Sequence, residues 1–232
     1  MQEILRLIKP FQSLPQLREL ETIIGKVQGT ISQNTGDQII VLDHNPNVKG
    51  LNLIETLYPL IKEEKIVSIK YKPFSREEEI EYLLHPFLIK EYNNRWFLIG
   101  WLPAKNKYTV LGIDRIVQIT EQAGKIDKTK KNELVLLQKS ILGVSFTEGV
   151  LPTEIKLWIT LEQLPYILTK PLHPSQKLIE EHSDGSIITL NLVPNYELEQ
   201  LLLSFGEKIK VLEPELLQIR IQKRLKDAIA LY

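Results

Sequence analysis

At Ile66 the apolar residues of this chain change period, from the three-and-four spacing of helices to strict alternation, and that switch constrains the fold more than any other feature. Val67, Ile69 and Tyr71 alternate with Ser68, Lys70 and Lys72. Further runs follow at Tyr82–Lys90, Arg95–Leu102, Tyr108–Asp114 and Ile116–Thr120, parted by polar turns such as Asn93-Asn94 and Lys105-Asn106-Lys107. Five strands within about 55 residues predict a small β-barrel. The run from Arg95 to Trp101 is apolar on both faces, with Trp96 and Leu98 on one and Phe97, Ile99 and Trp101 on the other. One face can fill the barrel, so the other must be covered or serve as a binding surface.

Helices flank the strands on the N-terminal side. Leu17, Leu20, Ile24 and Val27 form one apolar stripe ahead of Gly29, Gln38–Leu42 has the β-branched content of a short strand, and Leu53, Leu57, Leu60 and Ile61 mark a helix ending near Glu64. After the strands, the charged stretch Lys125–Lys131 reads as a linker or solvated helix start, Glu133–Ile141 has helical spacing, and Gly143–Pro152 reads as a loop. The last eighty residues alternate: strand Glu154–Thr160, helix Leu161–Leu168, strands Lys177–Glu181 and Ile187–Val193 about Asp184-Gly185, helix Asn195–Phe205, strand Lys208–Leu212, and a helix from Pro214. That β-α-β-β-α-β order fits a ferredoxin-like sandwich. The expected class is therefore α+β, with boundaries at 1–64 (helical connector), 65–122 (barrel), 123–151 (linker and helix) and 152–232 (sandwich).

Composition removes several functions. The chain has no cysteine, which excludes disulfides, thiolate metal sites and cysteine nucleophiles together. Lys plus Arg and Asp plus Glu are equal at 29 each, so no global positive field draws the chain to nucleic acid or anionic lipid, and any such contact needs a local patch. The longest apolar run, Trp96–Leu102, is far shorter than the roughly 18 residues of a membrane span, and the N-terminus lacks a secretory pattern. A cytoplasmic protein without membrane contact is expected. Catalytic patterns are also missing. His44, His85, His173 and His182 form no metal-binding pair, Ser145 lacks the second glycine of a nucleophile elbow, and Glu77, Glu78, Glu79 and Glu81 form a run that solvates at a hairpin end. Neither an enzyme nor a cofactor is expected.

Tyr71, His85-Pro86-Phe87, Asn94-Arg95-Trp96-Phe97-Leu98-Ile99-Gly100 and Ile113-Asp114-Arg115-Ile116 together resemble the WYL domain, named for a Trp-Tyr-Leu triplet on a central strand. Pro171–Gln176, Pro194–Leu198 and Leu203–Gly206 resemble the WCX-type extension that accompanies it, and Ile8–Pro15 and Leu51–Leu57 the helical connector before it. The resemblance implies an SH3/Sm-like barrel followed by a ferredoxin-like extension. It also implies a bacterial transcriptional regulator that senses a nucleotide or nucleic-acid fragment, dimerises, and binds DNA through an N-terminal winged helix-turn-helix. Met1–Pro59 offers no basic recognition helix, so such a DNA reader is expected to be missing here. Two positions depart from the family pattern: Phe97 replaces a tyrosine, and Gly112 stands where many relatives carry an arginine.

The strand-rich segment holds the residue types that grip a phosphorylated guest. Guanidinium forks bind phosphate bidentately, and aromatic faces stack bases at about 1–3 kcal/mol each. Tyr71, His85, Arg95, Trp96 and Arg115 are the candidate ligand-binding residues. Trp96 reads more readily as core, and Asp114–Arg115 reads as well as a structural ion pair or turn anchor. His173-Pro174-Ser175 reads as a rigid turn. The competing function is a protein adaptor docking a subunit on Phe97, Ile99 and Trp101, with no small ligand. The helices at Asn195 and Pro214 are apolar enough to support a homodimer.

Overall fold

A computed structural model describes residues 49–146 and 149–232; the expected helix at 17–27 and strand at 38–42 lie outside the described residues. The chain divides into two compact units after Lys131. Both are mixtures of helix and antiparallel sheet, as expected for an α+β protein.

The first unit opens with α1 (Asn52–Lys62), whose Ile54 and Leu57 are buried. Five strands follow: β1 (Ile66–Tyr71), β2 (Ile80–Tyr92), β3 (Arg95–Leu102), β4 (Lys107–Gly112) and β5 (Ile116–Gln122), in the order β4-β3-β2-β1-β5. Alternation places Val67, Ile69 and Tyr71 of β1 with Leu84, Leu98 and Ile113 in one core, on which Leu53, Leu60 and Ile61 of α1 also pack. β2 is long enough to serve two partners. Its first half pairs with β1, from Tyr71↔Ile80 to Val67↔Leu84, and its second half with β3, from His85↔Trp101 to Tyr92↔Arg95. The register shifts between Pro86 and Leu88, where proline has no N–H to give the ladder. Asn93 and Asn94 both have positive φ, 48° and 59°, which suits the two-residue hairpin between β2 and β3. Among the described residues no ladder joins the edge strands β4 and β5, so the expected barrel is observed as an open five-stranded sheet.

The second apolar face of β3 is covered. Ile99 is 0% and Trp101 7% exposed. Trp101 meets the Tyr108 ring edge-on at 4.9 Å and lies 4.9 Å beneath the Lys130 ammonium. Lys130 belongs to α2 (Lys128–Leu137), which carries the chain past the division. Its start is tied down by Tyr108 Oη donating to the Lys130 carbonyl (2.8 Å) and by Lys128 and Lys131 on the Glu64 carboxylate (2.7 and 3.0 Å). These two ammonium groups hold the Glu64 carboxyl below its ordinary range. The helix starts five residues earlier than its apolar spacing predicts, because Asp127 Oδ1 accepts the Lys130 N–H (3.1 Å) and so caps it.

The second unit has the predicted order: β6 (Thr153–Thr160), α3 (Leu164–Thr169), β7 (Lys177–Glu181), β8 (Gly185–Leu192), α4 (Tyr196–Ser204), β9 (Ile209–Glu213) and α5 (Glu215–Ile229). The sheet runs β7-β8-β6-β9, antiparallel throughout. Ile155, Leu157 and Ile159 face Leu198, Leu202 and Leu217 of the helices in its core. Asn195 caps α4 through Oδ1 to the Leu198 N–H (3.0 Å), and its Nδ2 donates to the carbonyls of Leu142 and Ser145. Glu197 accepts both the N–H (3.0 Å) and the hydroxyl (2.7 Å) of Ser145. The His173–Ser175 turn is pinned to β8, where Ser175 Oγ accepts the Asn191 N–H at 2.9 Å.

Candidate ligand-binding site

β4 ends at Gly112, and a short 3-10 turn, Ile113–Arg115, leads into β5. Ile113 is fully buried and anchors the turn, leaving Asp114 and Arg115 at the surface end of the core. The Arg115 carbonyl accepts the Lys72 N–H (3.0 Å), which fastens the turn to the chain leaving β1. The Arg115 guanidinium is held mainly by rings: its central carbon lies 4.7 Å from the Phe74 ring centre and 5.6 Å from that of Tyr71. Nε also reaches Asp114 Oδ1 at 3.3 Å. The Tyr71 hydroxyl oxygen accepts the Gly112 N–H at 3.2 Å. Burial keeps that phenol protonated to higher pH than usual, with Arg115 opposing the shift.

Arg115 lines a surface cleft of about 450 Å³. Lys72 and Arg76 add positive charge to its wall, Glu77 and Asp114 negative charge, and Phe74, Ile116 and Val117 apolar surface. Phe74 is 74% exposed, an unusual state for a phenylalanine and a suitable one for a stacking platform. The ring and cation series continues from Tyr71: it lies 6.2 Å from Tyr82, and the Lys105 ammonium sits 5.6 Å over Tyr82.

Of the five candidate residues, the structure brings Tyr71 and Arg115 together. His85 is elsewhere: its Nδ1 accepts the Asp127 N–H at 3.1 Å, and burial lowers its pKa against the opposing pull of Asp127, so it serves as a neutral acceptor. Arg95 is exposed beside the β2–β3 hairpin, and Trp96 packs partly buried on the core; neither lines the cleft. Phe74, Lys72 and Arg76 escaped the sequence reasoning. No local feature of the sequence marks Phe74 as an exposed ring. Burial of Ile99 and Trp101 removes most of the docking surface that the adaptor alternative requires. Among the described residues there is no cluster of three or more metal-ligating side chains, and no helix is long and apolar enough to cross a membrane.

Residues 52–121 match the WYL domain and residues 151–229 the WCX domain. Several solved structures are similar to the chain, two of them as follows. Proteasome accessory factor B/C (PafBC) of Arthrobacter aurescens is 14% identical over 83% of this chain and 29% of its own, with a TM-score of 0.35. A CRISPR Cas-related protein is 15% identical over 78% of this chain and 51% of its own, with a TM-score of 0.48. The chain thus spans about half or less of either protein, and at these scores neither likeness bears on function. No curated protein matches the sequence. The two domain matches follow one another along most of the described chain, and the protein belongs to the WYL-domain family, with a WYL domain followed by a WCX domain.

Proposed function

We propose that this chain is the ligand-sensing and dimerising part of a bacterial transcriptional regulator, and that its effector is a nucleotide or short single-stranded nucleic acid bound in the Arg115 cleft. The observation carrying the proposal is the Arg115 guanidinium between the Phe74 and Tyr71 rings, in a cleft to which Lys72 and Arg76 add charge. Phosphate takes the guanidinium N–H groups, and a base takes the exposed Phe74 ring. Arg115 is the ligand contact retained from the sequence, and the buried Tyr71 ring backs its guanidinium; His85, Arg95 and Trp96 play no direct part. The reading treats the first unit as SH3/Sm-like and the second as ferredoxin-like, and it is non-enzymatic. Dimerisation is assigned to α4 and α5, the latter exposing Leu216, Ile219 and Ile229. Effector binding would act by favouring one arrangement of the dimer and of any DNA reader joined to it.

Fluorescence polarisation with short single-stranded oligonucleotides tests the site. Three cationic contacts predict a slope of about −2 in log affinity against log salt, and Arg115→Ala should lower both the affinity and the steepness of that slope. Equal affinity of the wild type and Arg115→Ala would overturn the proposal.

A further inference from the structure

Gly112 has ordinary extended backbone angles, φ −63° and ψ 124°, so its lack of a side chain answers no conformational need. The need is spatial. A β-carbon at this position would lie 2.1 Å from a terminal nitrogen of Arg115, 2.8 Å from its guanidinium carbon and 2.6 Å from Asp114 Oδ1. The backbone cannot easily give way, because Gly112 pairs with Phe97 across β3 and donates its N–H to the Tyr71 hydroxyl. Any side chain at 112 must therefore push the guanidinium out.

From this geometry we propose that Gly112 is a positioning residue for Arg115: the empty space at 112 lets the guanidinium fold back against the Tyr71 and Phe74 rings and fixes the direction its N–H groups face. An anion then meets one aligned fork instead of a swinging side chain, so the residue at 112 sets how strongly the cleft binds an anionic ligand. The effect on binding rests on the function proposed above; the placement of Arg115 does not.

Two measurements on Gly112→Ala, Arg115→Ala and the double variant separate these claims. Phenylglyoxal labelling, mapped to Arg115 by mass spectrometry of peptides, should rise in Gly112→Ala as the guanidinium swings into solvent. Affinity for a short single-stranded oligonucleotide should fall about tenfold in Gly112→Ala, the loss of one charge-assisted contact, with no further loss when Gly112→Ala is added to Arg115→Ala. Unchanged labelling of Arg115 in Gly112→Ala would overturn the positioning role. If the wild type binds no oligonucleotide, the proposed function fails while labelling still decides the role of Gly112. If Gly112→Ala melts far below the wild type, the double variant should recover most of the loss, and a failure to recover would place the clash elsewhere and overturn the proposal.

Discussion

Arg115 in the first unit and the pair Arg220 and Arg224 in the second show how differently the same side chain can be employed. In the second unit both guanidiniums converge on one carboxylate: Arg220 Nε lies 2.8 Å from Glu199 Oε1 and Arg224 3.1 Å from Oε2, while Arg220 also donates to the Pro194 carbonyl and Arg224 lies 5.1 Å from the Tyr196 ring centre. The Glu199 side chain is only 13% exposed. Those arginines join α5 to α4 and have little left to offer a ligand. Arg115 has a single longer contact to Asp114 and is otherwise held by aromatic faces, which restrain the guanidinium without using up its N–H groups. A part-buried carboxylate shared by two guanidiniums makes an arginine structural, whereas rings at a cleft leave it ready for an anion.

The largest effect expected from this contrast is on Glu199. Replacing it by alanine strands two part-buried guanidiniums and should cost roughly 2 kcal/mol, allowing for their exposure, read as a lower melting temperature with oligonucleotide affinity unchanged. A loss of affinity at full stability would erase the distinction between the two sites. Phe74→Ala comes next. Removing the exposed ring should weaken binding by about 1–2 kcal/mol while the melting temperature stays within roughly 0.5 kcal/mol of wild type in equivalent stability. A large stability loss would make Phe74 structural and bring the cleft closer in kind to the second unit.

The smallest effect concerns pH. The His85 pKa is lowered in the folded state, chiefly by burial, so the unfolded chain takes up the proton first as pH falls. Its contribution to stability is present above the ordinary histidine range, near pH 6.5, and fades below it, because protonated Nδ1 can no longer accept the Asp127 N–H. Melting curves between pH 8 and 5 should show a decline that is shallower in His85→Phe, with oligonucleotide contacts at Arg115 unaffected by that substitution.

Local punctuation made much of the architecture legible. The strands Arg95–Leu102 and Lys177–Glu181 have their expected limits, because Asn93-Asn94 bounds the first and Asp184-Gly185 closes the second. Where a tertiary contact decided the outcome, the sequence said less. The charged Lys125–Lys131 stretch reads as either linker or helix start; Asp127 caps α2 there locally, and Glu64, far away in sequence, pairs with two of its lysines. α3 starts three residues later than its apolar residues indicate, with Pro165 near its first turn. The site divided the same way. Tyr71 and Arg115 were visible as residue types near strand ends, whereas nothing local distinguishes Phe74 as an exposed ring or Gly112 as vacant space. Those properties arise when the ends of β1 and β4 are brought together.

The lashing of Leu142–Ser145 to α4 has a practical consequence for cutting the protein. A fragment that began at residue 151, where the WCX match starts, would deprive Asn195 of two carbonyl acceptors and leave Glu197 Oε1 without the Ser145 N–H and hydroxyl that it accepts. The autonomous piece should therefore begin upstream of Leu142, and a protease probing the native chain should find the 142–145 peptide bonds as resistant as those of the helix they are tied to.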